Sequence, residues 1–360
     1  MPYKDFREWV NTLEAKGRLH KIRKEVDWSL ELGAVIRRTW DTYGDAAPSL
    51  MFENIKDYHT PSPNKFFVTS GSWSTIALTL GMPLVGDYPR GLVQEYRRRA
   101  KSPIKPVMVD SGPCKENITR ADDVDLLKFP VPFWHERDGG RYIGTATSVI
   151  TKDPETGWLN VGCYRMMVHG DRKSLGTPLF PGGQHWGLHY LKYIQRNEPM
   201  PVVIAMGNDP VLTSASMSVL PVQVSEFDVA GGLRGQPLEL TKAETVDLPV
   251  PASSEIVIEG TIDPKQRKVE GPFGEFSGFY GDEPGERPIV NVSCVTHRDD
   301  PILEGVLEGY SGPQGISAVT HIANSSFARD ELERAGVPGV VEVGIPISSS
   351  SARYVVAVKT

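Results

Sequence analysis

Apolar residues recur at helical spacing near the start of the chain. Phe6, Trp9, Val10 and Leu13 fall on one face of a helix that we predict over residues 5–16. The same spacing predicts further helices over 30–40, 186–196 and 318–335. Short apolar runs lie between the first helices, so we expect helices mixed with strands in the first third of the chain.

The middle of the chain has a different pattern of residues. Short runs rich in β-branched and aromatic residues are separated by Gly, Pro or Asp, which is typical of strands and turns. These runs cover 142–151, 201–206, 255–262, 289–296 and 302–308, and two more lie at 340–343 and 353–358. We therefore predict an α+β protein whose central strands form a sheet or a partly closed barrel.

Composition narrows the class of protein. The chain has 39 basic and 45 acidic residues, and the net charge of −6 disfavours a nucleic-acid binder. Its 3 cysteines are widely spaced and form no CxxC pair, so we expect neither a disulfide framework nor a thiolate zinc site. We find neither a long apolar run nor a signal-peptide pattern, so we expect a cytoplasmic protein that does not enter a membrane.

Four stretches could carry chemistry, although the common nucleotide-binding, zinc-protease and serine-hydrolase motifs do not occur. Glu270 and Glu275 flank a Gly-Pro-Phe-Gly bend, which can aim two carboxyl groups into one pocket. The other three stretches contain an amide and a guanidinium five residues apart, a Gly-rich entry to a helix, and an acidic residue before Phe-Asp-Val-Ala-Gly-Gly. Their polar residues are Asn160, Arg165, Gln184, His185 and Glu226.

Each stretch also has a structural interpretation. Asn160 could cap a turn, Arg165 could pair with a surface acid, and the two glutamates could belong to a surface turn. His185 and His189 are four residues apart and could share a metal ion. The apolar residues on the same helix favour a structural role for His189. Three consecutive arginines at 97–99 are interpreted as a solvent-exposed helix face.

Taken in order, the four stretches resemble the UbiD family of reversible decarboxylases, which use prenylated FMN. They read NVGCYR, GGQHW, SEFDVAGGLRG and EGPFGEFSG. The resemblance implies an N-terminal α/β domain over 1–115, a central split β-barrel that binds the flavin over 116–312, and the beginning of a C-terminal α/β domain over 313–360. Family chains usually continue further, so the last domain is expected to be truncated here.

The resemblance also implies cofactors and their ligands. Asn160, His185 and Glu226 would bind Mn²⁺, with K⁺ beside it. The residues expected along the prenylated FMN, in addition to those three, are Cys163, Tyr164, Arg165, Gln184, Ser216 and Met217. Lys359 matches a lysine that holds the cofactor phosphate.

Arg165, Glu270, Glu275 and His321 form the catalytic set that the resemblance implies. The reaction would be non-oxidative, reversible decarboxylation through a covalent substrate–cofactor adduct. The expected substrate is a hydroxylated benzoate of the protocatechuate, vanillate or gallate type, with His321 at the phenolic oxygen. His321 could instead simply begin the 318–335 helix.

The resemblance leaves other functions open and also implies binding partners. A cinnamate-like, heteroaromatic or polycyclic acid remains open as substrate, as does a non-catalytic flavin-binding assembly subunit or an ordinary FMN oxidoreductase. The expected partners are the aromatic acid and CO₂, a flavin prenyltransferase that supplies the cofactor, and further copies of the chain in a homodimer or larger homo-oligomer.

Overall fold

The structure is a computed structural model that describes residues 3–59, 63–83, 86, 88–309, 316–344 and 357–359. Its helices are α1 Phe6–Ala15, α2 Glu31–Tyr43, α3 Trp73–Thr79, α4 Arg90–Ala100, α5 Gln184–Arg196, α6 Pro210–Ser216, α7 Glu226–Arg234 and α8 Ile316–Arg334. Its strands are β1 Leu19–Ile22, β2 Ser49–Phe52, β3 Lys65–Val68, β4 Val107–Met108, β5 Asn117–Arg120, β6 Tyr142–Gly144, β7 Ser148–Lys152, β8 Leu159–Gly162, β9 Met166–Val168, β10 Ser174–Gly176, β11 Met200–Met206, β12 Glu239–Lys242, β13 Pro249–Pro251, β14 Ile256–Glu270, β15 Gly285–His297, β16 Ile302–Glu304, β17 Glu342–Gly344 and β18 Ala357–Lys359.

A nine-stranded sheet forms the centre of the molecule. Its order is β6-β9-β10-β15-β14-β11-β7-β8, and β5 also pairs with β15. The long antiparallel strands β14 and β15 change register after Glu259 and again after Ile262, and such irregularities bend a sheet. The sheet curls into a half-barrel, which confirms a mixed α+β fold with a curled central sheet.

Strand β11 shows why this sheet is buried on both faces. Successive side chains of a strand point to opposite faces. Val202 and Ile204 belong to one apolar core, which also holds residues of α2 and α5. Val203 and Ala205 belong to a second core on the opposite face, where α4, α6 and α7 pack. An unbroken apolar run is therefore required here, rather than alternation of apolar and polar residues.

The N-terminal sheet has the order β1-β2-β3-β16. Helix α1 covers it, and the Phe6 and Trp9 rings meet the Phe67 ring edge-on with centroids 5.3 and 5.5 Å apart. Strand β16 joins this sheet parallel to β3, so the expectation that 302–308 belongs to the central sheet is wrong. A short apolar run indicates burial but does not specify its partner strand.

Helix α4 is also more buried than expected. Arg99 donates to the carbonyl oxygens of Leu80 and Leu233 at 2.7 and 3.0 Å, so it caps the ends of two neighbouring helices. Arg97 forms ion pairs with Asp330 and Glu333 of α8. The interpretation of 97–99 as a solvent-exposed face is therefore wrong for Arg97 and Arg99, because both serve packed neighbours.

Candidate active site

Arg165 joins the two predicted catalytic glutamates. Its Nε and Nη2 atoms donate to the two carboxylate oxygens of Glu270 at 2.9 and 3.0 Å. Its Nη1 atom donates to Glu275. Residues 105 and 110 positions apart in sequence therefore meet in one ionic cluster. The paired, two-bond geometry with Glu270 is the strong form of a guanidinium–carboxylate contact.

The bend between the glutamates depends on close backbone approach. Glu270 ends β14, and Gly271 follows with a φ of +87°, in the region that favours glycine. Gly139 lies against this bend and donates its N–H to the Pro272 carbonyl at 2.8 Å. A Cβ on Gly139 would lie 2.0 Å from the Gly271 oxygen, so any larger residue there would displace the bend.

Tyr142 supports Glu270 from behind and was not predicted from the sequence. Its hydroxyl donates to Glu270 Oε1 at 2.8 Å, the same oxygen that Arg165 Nε contacts. Its ring lies 4.4 Å from that of Phe273, centroid to centroid. Burial and the neighbouring Glu270 charge hold the pKa of Tyr142 far above its ordinary value, so it stays a donor.

Asp138 fixes the far side of the bend. Its Oδ1 atom accepts the Gly274 N–H at 2.9 Å, and its Oδ2 atom accepts the His135 backbone N–H at 3.0 Å. The His135 ring lies with Nδ1 3.3 Å from Asp138 Oδ2 and Nε2 3.0 Å from the Glu308 carbonyl oxygen. The imidazole therefore links the glutamate bend to the segment after β16 that carries Glu308.

Burial and ion pairing act in opposite directions on the cluster. Burial tends to lower the pKa of Arg165, but its hydrogen bond and charge pairing with Glu270 outweigh burial, and the pKa lies above its ordinary value. Burial raises the pKa of Glu275 above its ordinary range, although Arg165 opposes this effect. The sequence left this balance open; in the structure Glu275 is the carboxyl group shifted towards holding a proton.

A second cluster contains the three predicted metal ligands. Glu226 begins α7, is buried, and accepts the Val161 N–H at 2.7 Å through Oε2. Its Oε1 atom lies 3.9 Å from His185 Nδ1. Asn160 adjoins Val161 on β8, and its buried amide nitrogen has no hydrogen-bond partner among the described residues. Burial raises the pKa of Glu226, and contact with His185 opposes that shift.

Both clusters line one cavity of about 690 Å³, which we call the main cavity. The predicted residues that line it are Asn160, Cys163, Tyr164, Arg165, Gln184, His185, Ser216, Met217, Glu226 and Glu275. The Tyr164 ring stacks on Trp186 at 3.9 Å and 4°. A Cβ on Gly162 would lie 2.3 Å from the Tyr164 hydroxyl, so this glycine makes room for the ring. The volume suits a cofactor together with a small substrate.

The charges around the main cavity agree with a bound cation. Among the described lining residues, four carboxyl groups accompany the single arginine, Arg165; they belong to Glu226, Glu275, Asp282 and Glu308. A phosphate-bearing flavin would be repelled by such a lining unless a divalent ion compensated the charge. The amide, imidazole and carboxylate of Asn160, His185 and Glu226 suit such an ion. Among the residues described, no three His, Cys, Asp or Glu side chains form a metal cluster; the predicted set has only two of these types.

Besides Glu270, which is buried and contacts the lining residue Arg165, three predicted or considered residues lie outside the lining of the main cavity. His321 is buried in α8 next to Thr320, which does line the cavity. Lys359 is exposed on β18, where it pairs with Glu342 of β17. His189 is buried, with Nδ1 2.9 Å from Thr151 Oγ1, and burial lowers its pKa to about 4. This environment agrees with the structural role expected of His189.

The sequence analysis missed part of the lining, including Phe180, Asp282, Glu308 and Thr320. Phe273 and Phe276, like Gly162 and Gly183, lay inside stretches already singled out, and the Phe273 ring centroid is 5.3 Å from the Arg165 guanidinium carbon. The others stand in loops or helices without a recognisable local pattern. None of the described helices is long and apolar enough to cross a lipid bilayer.

Comparison with known proteins identifies the relatives. A family model described as the 3-octaprenyl-4-hydroxybenzoate carboxy-lyase Rift-related domain, UbiD, matches residues 105–311. The model of the corresponding N-terminal domain matches residues 10–89. The chain belongs to the UbiD family. Members of this family are carboxy-lyases, and the motif resemblance seen in the sequence is confirmed.

Individual UbiD relatives cover most of the chain. Pyrrole-2-carboxylic acid decarboxylase of Pseudomonas aeruginosa is 34% identical over 342 residues, which are 93% of this chain and 67% of the relative. The chain spans 65 to 67% of the length of three curated decarboxylases that it matches.

Solved structures of UbiD-class enzymes share the fold. HmfF from Pelotomaculum thermopropionicum, in an evolved dimeric form in complex with prFMN, has a TM-score of 0.87 and 32% identity, covering 99% of this chain and 78% of that one. The vanillic acid decarboxylase of Sedimentibacter hydroxybenzoicus in closed form also has a TM-score of 0.87 and 32% identity. That match covers 96% of this chain and 72% of the decarboxylase chain.

Proposed function

We propose that this UbiD protein is a prenylated-FMN-dependent, non-oxidative decarboxylase of an aromatic carboxylic acid. The observation that carries the proposal is the Arg165 bridge between Glu270 and Glu275 at the wall of the main cavity. A non-catalytic assembly subunit would not need this cluster to be intact. An ordinary FMN enzyme would not need the metal-type donor set on the same cavity.

The cofactor would be held by the donor set already described. Asn160, His185 and Glu226 would bind Mn²⁺ next to the flavin phosphate, and we propose K⁺ as the accompanying monovalent ion. When bound, prenylated FMN supplies the electron sink that loss of CO₂ from an aromatic carbon requires. The unusual φ of +53° at Gln184 marks strained backbone beside this site, a feature common at ligand-binding positions.

The protein residues then bind, orient and transfer a proton. Arg165 offers a guanidinium to the substrate carboxylate, and Glu270 and Tyr142 fix its orientation. As the bond between the ring carbon and the carboxylate breaks, CO₂ leaves and that carbon must gain a proton. Glu275, whose pKa burial raises, is the donor; solvent protons then restore it. The reverse sequence gives carboxylation.

We propose a hydroxylated benzoate as the substrate class. Relatives described as phenolic acid decarboxylases and the vanillic acid decarboxylase support this choice. His321 would then act on the phenolic group through movement of α8, since it lies beside the lining residue Thr320. A heteroaromatic acid is the second candidate, favoured by the similarity to pyrrole-2-carboxylic acid decarboxylase.

The test is production of the chain together with a flavin prenyltransferase, followed by a CO₂-release screen. The panel should contain hydroxylated benzoates, pyrrole-2-carboxylate and cinnamate. We expect turnover of a phenolic acid, bound Mn²⁺ in elemental analysis and a dimer or larger homo-oligomer by light scattering. Retention of prenylated FMN without CO₂ release from any acid would contradict the catalytic proposal in favour of an assembly role.

A further inference from the structure

A small cavity of about 30 Å³ lies behind the main cavity. Met217 lines both cavities, so the two cavities are neighbours. The walls of the small cavity come from α1, α3, α6 and β16, so it lies where the N-terminal sheet meets the central part of the molecule. Glu304 is the one ionisable side chain among the described residues that line it.

Three polar atoms in the wall of this cavity lack hydrogen-bond partners among the described residues. They are Trp9 Nε1, Thr213 Oγ1 and Glu304 Oε2, and all three are buried. Three other polar wall residues already have partners: Thr75 bonds to Ser72, Thr79 Oγ1 donates to the Thr75 carbonyl, and Ser214 Oγ donates to the Pro210 carbonyl. Buried polar atoms in native proteins nearly always find a partner, which can be an ordered water molecule.

Among the described residues, no cationic side chain forms an ion pair with Glu304. Its neighbouring charge is the carboxylate of Glu255, which itself is bound by Arg7 at 2.7 Å and approached by Arg298 at 3.5 Å. Glu304 also accepts a hydrogen bond from the backbone N–H of Gly207. Burial, with a smaller contribution from Glu255, raises the pKa of Glu304 to about 8.

We propose that Trp9, Thr213 and Glu304 form a buried site for one water molecule. Because Glu304 is buried and none of the described residues forms an ion pair with it, its carboxyl group holds a proton there. The volume exceeds the roughly 10–15 Å³ that a water molecule needs. Water can accept from the Trp9 N–H and still exchange hydrogen bonds with a hydroxyl and a carboxyl group. A metal cation does not fit this set, because the indole N–H directs its hydrogen into the cavity.

The proton can be detected by infrared difference spectroscopy of the cofactor-loaded protein between pH 6.5 and pH 10. We expect the carbonyl stretch of a protonated carboxylic acid to vanish as Glu304 ionises near pH 8. The difference spectrum of Glu304→Gln should lack this carbonyl band. Glu259→Gln is the matched control, because Glu259 is equally buried but accepts hydrogen bonds from Glu244 and Thr245. An unchanged spectrum in Glu304→Gln would overturn the proton assignment.

The proton also has a consequence for stability. The unfolded chain releases it near the ordinary pKa of about 4.5, whereas the native protein keeps it to about 8. The contribution of Glu304 to stability is therefore complete below about pH 4.5 and falls until about pH 8, changing the unfolding constant about tenfold per pH unit within that window. Glu304→Gln should remove one proton from this dependence. Equal pH dependence in wild type and Glu304→Gln would contradict the proposal.

A crystal structure tests the water molecule directly. We expect one density peak within hydrogen-bond distance of Trp9 Nε1, Thr213 Oγ1 and Glu304 Oε2, and loss or displacement of that peak in Thr213→Val. Crystals grown with Rb⁺ distinguish the alternative occupant. An anomalous peak at this position would identify a cation and overturn the hydration site, as would an empty cavity in the wild-type protein.

Discussion

Asp138→Asn is the substitution that most sharply tests how the glutamate bend is held. The Asp138 side chain is fully buried; its Oδ1 accepts the Gly274 N–H, its Oδ2 accepts the His135 backbone N–H, and the His135 ring lies beside Oδ2. An asparagine of the same shape must present its NH₂ group to one of these donors. Loss of a hydrogen bond to a charged group costs about 1.5–3 kcal/mol.

The loss of this hydrogen bond can lower the free energy of unfolding of the protein. It can also raise the barrier of the catalytic step, if it displaces Glu275. If half of this free energy, about 0.75–1.5 kcal/mol, displaces the bend, kcat should fall roughly three- to tenfold, since about 1.4 kcal/mol corresponds to a factor of ten. Substrate KM should change little because Arg165 remains in place. The assay is steady-state decarboxylation by protein with matched flavin content, together with thermal unfolding.

Asp171→Asn provides the matched control. Asp171 accepts hydrogen bonds from the backbone N–H groups of Lys173 and Ser174, yet it lies in a surface turn away from the main cavity. We expect this control to lose stability and retain kcat. The account of Asp138 is refuted if both variants lose similar stability and neither loses kcat.

Four further predictions concern the same region. Tyr142→Phe removes the 2.8 Å hydrogen bond to the Glu270 carboxylate, so kcat should fall about tenfold at unchanged flavin content; an unaltered kcat would exclude a positioning role. His185→Ala should release Mn²⁺ and flavin, measured by elemental analysis and absorbance, whereas His189→Ala should lower stability and retain both. Lys359→Ala should leave flavin affinity unchanged by fluorescence titration, because Lys359 is exposed and outside the main-cavity lining; weaker binding would restore the phosphate role. Arg97→Gln should lower the melting temperature and reduce its dependence on salt, because its ion pairs with α8 are lost.

Local sequence pattern predicted the elements but not all of their partners. The apolar face of α1 predicted that helix within one residue of its observed limits, and Asp5 caps its first turn in the structure. The strand over 302–308 was recognised as a strand, but its pairing with β3 depends on a residue more than 230 positions away. The pairing of β10 with β15 in the central sheet also joins distant residues, so a short stretch of sequence cannot predict it.

The residues of the candidate site were predicted where reactive side chains lie inside the four sequence motifs. Arg165, Glu270 and Glu275 were selected as a motif, and the structure brings them together. Tyr142 and Asp138 were missed because a lone tyrosine or aspartate in a turn carries no signal of its distant partner. The elevated pKa of Glu275 was also beyond the sequence, since it depends on how far burial outweighs the neighbouring guanidinium.

Turnover in D₂O tests the central claim most directly. The protein loaded with prenylated FMN should release CO₂ and place one deuterium on the ring carbon that carried the carboxylate. Glu275→Gln should keep its flavin and form neither product, because the proton donor is gone. Undiminished CO₂ release and deuterium incorporation by that variant would contradict the account.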